Sequence, residues 1–207
     1  GEITSLDILK YISKLKKRVI LSTGMATFQD IKNAITEINK HFKKKITLLH
    51  CISNYPAAPE KLNLNVIKSL KETFKTEIGY SDHSLGGEAC VAAVALGAKV
   101  IEKHVTLSRQ KIGPDHKASM EIKNFCNLVK QIRSVEKMLG NKKKKISNEE
   151  IRIMKVARKS IIVNKSLKKG DIIKKEYLSF KRPGTGISPM KINLVVGRKV
   201  KKNNLKN

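Results

Sequence analysis

Apolar residues along this chain fall into compact runs of three or four, separated by longer stretches where they recur every three or four positions. Val19-Ile20-Leu21 is a β-rich run closed by Ser22-Thr23-Gly24. Across residues 28–42, Phe28, Ile31, Ala34, Ile35 and Ile38 recur at helical spacing, with Thr27 placed to cap the start. Ile46-Thr47-Leu48-Leu49 predicts a second strand, ending in His50-Cys51. Pro56 and Pro59 then mark a loop, because proline cannot donate to a central ladder. Residues 64–74 read as a helix with Leu64, Ile67, Leu70 and Phe74 on one face. Residues 79–86 form a short apolar run that ends in polar side chains. An Ala- and Val-rich segment of helical length, 87–97, leads to Val100-Ile101-Glu102-Lys103-His104. A loop over 106–119 and a long helix over 121–139 complete the series.

These are four strand-then-helix units at intervals of roughly 25–30 residues, the rhythm of a parallel α/β fold. The strands are continuous apolar runs, as expected where both faces are covered. Each ends in polar chemistry: Ser22, His50, Ser81 with Asp82, and Glu102 with His104. That pattern predicts a β/α barrel with its site at the carboxyl ends of the strands, of which four units supply half. A doubly wound sheet is the alternative, though no Gly-x-Gly-x-x-Gly fingerprint supports a dinucleotide version. After Gly140 the texture changes. Residues 1–140 form the first domain and 141–157 a linker, Lys-rich at 141–147 with a short helix over 148–156 capped by Ser147 or Asn148. Residues 158–207 read as a small β-rich domain, with β-like runs at 160–163, 169–173, 178–180 and 194–200.

Composition changes the picture in three places. No apolar run approaches the roughly 18 residues that span a bilayer, and no signal peptide is visible, so a cytoplasmic protein without membrane contact is expected. The opening Gly1-Glu2 reads as the middle of a longer protein. Cys51, Cys90 and Cys126 are odd in number and far apart, and are expected to be buried free thiols. The net charge of +27 invites a nucleic-acid reading. The excess is Lys spread along the chain, with runs at 43–45 and 142–145 and no interleaved aromatics, so solvated charge without a nucleic-acid partner is expected.

The chemistry gathers at His83 and His104. A crossover helix makes their strands parallel neighbours, so both imidazoles come to one end of the sheet. Two imidazoles there make half of a metal site. Other roles are open for the residues nearby. Ser22 and Ser81 could cap the following helices, Asp115 could be a turn residue, Arg182 a surface arginine, and Glu102 the partner of a neighbouring lysine.

Seven segments in order resemble the sialic acid (N-acetylneuraminate) synthase family. They are Gly1-Glu2-Ile3-Thr4; residues 21–27, Leu-Ser-Thr-Gly-Met-Ala-Thr; Leu49-His50-Cys51; residues 79–86; Ile101-Glu102-Lys103-His104; residues 113–119, Gly-Pro-Asp-His-Lys-Ala-Ser; and residues 181–190. The resemblance implies the last four βα units of a (β/α)8 TIM barrel followed by an antifreeze-like SAF domain, hence a fragment of the family's full length. It implies a transferase that condenses phosphoenolpyruvate with N-acetylmannosamine, or a related amino-sugar, to a nine-carbon 2-keto acid, releasing phosphate. His83 and His104 match ligands of a divalent metal, Mn²⁺ or else Mg²⁺. Glu2 matches a carboxylate near the reacting carbons, and Ser22 and Ser81 match contacts to phosphoenolpyruvate. Tyr55 and Asp115 match sugar contacts, as does one of Ser53 and Asn54, since the family's Asn falls one residue later here. Arg182 matches an arginine that reaches the site of a partner subunit in a domain-swapped homodimer. The alternatives are a legionaminic or pseudaminic acid synthase, a basic polyanion-binding protein, and a non-catalytic remnant.

Overall fold

The computed structural model describes residues 1–43 and 45–203. They divide into two compact units, Gly1–Asn141 and Lys142–Asn207, the last four residues lying outside the described set.

The first unit is built on four parallel strands in sequential order: β1 (Val19–Ser22), β2 (Ile46–Cys51), β3 (Glu77–Asp82) and β4 (Ile101–Lys103). Helices α2 (Phe28–Ile38), α3 (Val66–Phe74) and α4 (Glu88–Ala95) form the crossovers, and α1 (Leu6–Lys14) precedes β1. Two-residue strands β5 (Val105–Thr106) and β6 (Met120–Glu121) bracket the predicted loop, and α5 (Ile122–Leu139) closes the unit. This is half of a (β/α)8 barrel.

Burial explains the order of the strands. β2 is buried at all six positions and β3 at five, whereas β1 is only half-buried or exposed along its length. Ile31, Ala34 and Ile38 of α2 and Ile67 and Leu70 of α3 pack with Ile46, Leu48 and Ile78 of the sheet. A second cluster joins Cys90 of α4 to Leu128 of α5 and Met120. Gly79 sits where β3 and β4 approach most closely, since a Cβ there would lie 2.5 Å from the Val100 carbonyl and from Leu49 Cδ2. The helix caps follow the sequence: Thr27 and Asp30 make a capping box at α2.

The second unit holds α6 (Asn148–Ala157), capped by Ser147 and Glu150, and the antiparallel pair β7 (Ser160–Val163) and β8 (Leu178–Lys181). Three expectations change here. Helix α6 belongs to this unit rather than to a linker, because Gly184 N–H donates to Lys155 O and Arg182 Nε to Ala157 O. The runs at 169–173 and 194–200 form no named strand; a single bridge joins Ile172 to Lys199, and residues 189–194 are a 3₁₀ helix. In the first unit, the helix predicted to reach residue 42 stops at Ile38. Among the described residues no helix is long and apolar enough to cross a membrane. Cys126 is exposed, against the expected burial, because it lies on α5 away from the face that carries Leu128; Cys51 and Cys90 are buried free thiols as expected.

Candidate active site at the carboxyl ends of the strands

Register brings the chemistry together. Ser81 is paired with Glu102 and Asp82 with Lys103 across β3 and β4, so His83 and His104 each follow the last paired residue of their strand. Their rings meet edge to face with centroids 5.3 Å apart. Tyr55, from the loop after β2, lies over His83 at 4.0 Å between centroids and meets the edge of His104 at 5.4 Å. His83 is buried and Tyr55 half exposed, so the phenol forms a lid on the inner imidazole. Burial first, and then electrostatic interaction with Cys51, Asp115 and Glu102, raises the Tyr55 phenol above its ordinary value, so that it stays protonated at neutral pH.

The tautomer of His83 follows from its surroundings. Its Nδ1 lies 2.8 Å from the Ile52 carbonyl, which can only accept, so Nδ1 carries the proton and Nε2 presents a lone pair. The Cys51 thiol lies beside the same nitrogen at 3.7 Å. Asp115 Oδ2 stands 3.8 Å from His104 Nδ1, a charge neighbour rather than a hydrogen bond. Its backbone carbonyl also accepts from the amides of Ala118 and Ser119, so Asp115 is a turn residue and a site neighbour at once.

Ser81 Oγ donates to Glu102 Oε1 at 2.7 Å. That excludes the capping role for Ser81 and gives Glu102 a hydroxyl partner instead of a lysine. The lysine pairs one residue along, where Lys103 Nζ donates to Asp82 Oδ2 at 2.7 Å. Burial alone would raise the Asp82 carboxyl, but bonds from Lys103, Ser84 and Cys90 outweigh it and hold the carboxyl below the usual carboxylate range. Burial and the Asp82 charge push the Tyr80 phenol and the Cys90 thiol far up, so both remain neutral donors.

The remaining expected residues spread further. Ser22 ends β1 and is exposed, and its capping role falls to Thr27. Ser53 lies against Gly24, just past β1, and Asn54 is exposed in the same loop as Tyr55. The Glu2 carboxylate accepts from Ser5 Oγ in the amino-terminal 3₁₀ turn. Arg182 lies exposed in the second unit, its Nε bonded to Ala157 O. His50, read as strand-end chemistry, is a core residue: it is buried, tilted against Tyr80, and bonded to the Leu62 carbonyl. Sequence reasoning missed the Asp82–Lys103 pair as a unit. The signal was present in the equal offsets of the two residues from His83 and His104. Among the described residues no three His, Cys, Asp or Glu side chains form a metal-ligating group; the histidine pair offers two ligands.

Comparison with known proteins places the two units in known families. Residues 1–144 match the NeuB family model and residues 158–204 the SAF domain model. N,N'-diacetyllegionaminic acid synthase of Campylobacter jejuni is 46% identical over 98% of this chain and 61% of its own length. Human N-acetylneuraminate-9-phosphate synthase is 34% identical over 97% of this chain and 56% of its own. The crystal structure of N-acetylneuraminic acid synthetase from Leptospira borgpetersenii superposes with TM-score 0.69 at 37% identity, over 74% of this chain and 53% of that one. The chain thus spans about three fifths of the length of the first curated relatives it matches, 61%, 60% and 58%. On its sequence and on its half-barrel of parallel strands, the chain belongs to the NeuB family.

Proposed function

We propose that this chain carries the metal-binding and amino-sugar half of a synthase site that joins phosphoenolpyruvate to an N-acetylated amino-sugar aldehyde. Carbon three of phosphoenolpyruvate forms the new bond to the aldehyde carbon. Water adds at carbon two, the C–O bond to phosphorus-bearing oxygen breaks, and inorganic phosphate leaves with that oxygen. The observation that carries the reading is the ring pair of His83 and His104 under Tyr55, at the end of the sheet where β/α barrels hold their chemistry.

The two imidazoles suit a divalent cation, because the Ile52 carbonyl fixes the His83 proton on Nδ1 and leaves Nε2 to ligate. His83 and His104 would hold the cation, Mn²⁺ in this reading, and it would supply Lewis-acid polarisation of the aldehyde. Ser22 donates to phosphate or carboxylate oxygens of phosphoenolpyruvate, and Ser81 does so once its hydroxyl proton turns from Glu102 Oε1 to the ligand. Tyr55 shields His83 from water on one ring face, and Asp115 accepts from sugar hydroxyls. Ser53 or Asn54 adds a sugar contact, and Glu2 handles a proton near the reacting carbons. Arg182 offers donors to the N-acyl oxygen from a partner subunit of a domain-swapped homodimer.

For the acceptor, identity of 46% and 41% to legionaminic acid synthases, against 39% to a pseudaminic acid synthase and 34% to the human neuraminate enzyme, favours a di-N-acetylated sugar. In the complete synthase, phosphate release from phosphoenolpyruvate should be faster with that sugar than with N-acetylmannosamine. His83→Ala and His104→Ala should lower the rate by more than the roughly 100-fold that loss of a supporting residue costs, with the circular dichroism spectrum unchanged. Wild-type rates in both variants would overturn the assignment.

A further inference from the structure

We infer that Lys103 and Asp82 are positioning residues that set the separation of His83 and His104. Lys103 stands one residue before His104, and its ammonium donates to Asp82 Oδ2 and to the Ser84 carbonyl, both at 2.7 Å. Asp82 and Ser84 are the residues on either side of His83. One side chain on β4 therefore grips the Asp82 carboxylate before the histidine and the Ser84 carbonyl after it.

The grip is closed from the other side. Asp82 Oδ1 accepts from Ser84 N–H at 2.9 Å, Ser84 Oγ at 2.7 Å and Tyr80 OH at 3.1 Å, while Oδ2 also accepts from the Cys90 thiol at 3.1 Å. The Lys103 and Asp82 side chains are 2% and 0% exposed. A surface ion pair holds little, since water competes and the side chains are mobile. A buried pair is different: well-packed apolar residues of the same volume are often as stable or more so, while loss of one partner is strongly destabilising. By that rule stability alone does not call for a lysine and aspartate here. They do supply what an apolar pair lacks, directional bonds to the turn at 82–84. The His83 ring is itself held at Nδ1 by the Ile52 carbonyl, so the residue is fixed both through its backbone neighbours and at its ring.

The clamp rests on the proposed metal reading only for its functional consequence, and two readouts on the full chain separate the claims. The first needs no metal: the nuclear Overhauser effect between the His83 and His104 rings in protein with labelled histidines. The second is titration with Mn²⁺ alone, followed by the loss of its free electron-spin resonance signal. The double variant Asp82→Asn/Lys103→Met removes both charges together, so that neither is left buried alone. It should remain folded by circular dichroism, weaken or lose the ring–ring signal, and bind Mn²⁺ about 10-fold or more weakly. Lys103→Arg, which keeps the charge and the donors, should retain more of both signals than the double variant. If the double variant does not fold, Asp82→Asn/Lys103→Gln takes its place; it too removes both charges together and keeps polar groups at both positions. A folded variant with an unchanged ring–ring signal overturns the clamp. Unchanged Mn²⁺ binding by His83→Ala overturns the metal reading instead, and leaves the ring–ring signal to decide the clamp.

Discussion

At the scale of single residues, two positions make the argument sharpest. Gly79 lies in the middle of β3 with the Val100 carbonyl and Leu49 Cδ2 each 2.5 Å from where a Cβ would stand. The carbonyl belongs to the neighbouring backbone and cannot rotate away, so Gly79→Ala must push β3 and β4 apart. We expect a loss of about 1–3 kcal/mol in urea unfolding, together with weaker Mn²⁺ binding, because the same two strands carry the histidines. His50 gives a pH signature. Burial lowers its imidazole below the ordinary value, and the Leu62 carbonyl opposes this only in part. The unfolded chain takes up the proton near the ordinary value of about 6.5, while the folded chain resists it. The unfolded state then binds more protons, and stability falls as pH drops through that region. The Asp82 carboxyl is depressed in the fold, so its contribution is complete above the unfolded value of about 3.9 and is lost as pH falls below it. Urea midpoints should therefore decline in two stages on acidification. His50→Gln, which can still donate to the Leu62 carbonyl, should flatten the first stage and leave the second. A first stage of equal size in the variant would assign it to another group.

At the scale of elements, the capping box at α2 is a direct test of local encoding. Thr27 accepts from Asp30 N–H, and Asp30 accepts from Thr27 N–H at 2.9 Å. Thr27→Ala should cost roughly 1 kcal/mol, read as a shift in the urea midpoint without a change in slope. The elements legible in the sequence were those with a strong local signal. Thr27, Phe28, Ile31, Ala34 and Ile38 combine a cap with a helical stripe, and that helix starts where expected and ends at Ile38, four residues short. The continuous apolar runs of β2 and β3 are buried on both faces, and their polar ends fell at the site. Helix α1 was not read, because its buried face is short: only Leu9 and Ser13 are fully covered, and Leu6, Ile8 and Tyr11 lie exposed among lysines. The runs at 169–173 and 194–200 misled for a related reason. Short β-branched stretches suit a strand, but a ladder needs a partner in register, which here amounts to one bridge. In the site, His83 and His104 were legible from strand ends and a crossover. The Ser81–Glu102 and Asp82–Lys103 pairings were not, since a one-residue change of register exchanges which acid meets which partner.

At the scale of the whole molecule, two forces oppose each other, and their balance is testable. Closing a barrel removes all sheet edges, whereas four strands leave two. β1 pairs only with β2 among the described residues, and its Ile20 is 52% exposed. On α1, Ile8 and Tyr11 follow helical spacing and lie exposed, with Tyr11 at 67%. An open edge strand and an exposed apolar stripe favour association of this 207-residue chain with itself. Against that stands a net charge of +27, which repels like copies. The repulsion is long-ranged and the apolar contact is not. Salt shortens the electrostatic reach from about 10 Å at 0.1 M to about 3 Å at 1 M, and leaves apolar burial intact. Self-association should therefore rise with salt. In light scattering coupled to size exclusion, the weight-average mass of the chain should grow between low and high ionic strength at fixed concentration. Ile20→Lys with Tyr11→Lys should suppress the growth, because charge on the edge and on the stripe blocks pairing. The same experiment separates this picture from a polyanion-binding protein, whose complexes loosen as salt rises and counterions return. A mass that stays monomeric across the whole salt range would show that β1 and α1 are protected by their own side chains, and that the open edge is not sticky.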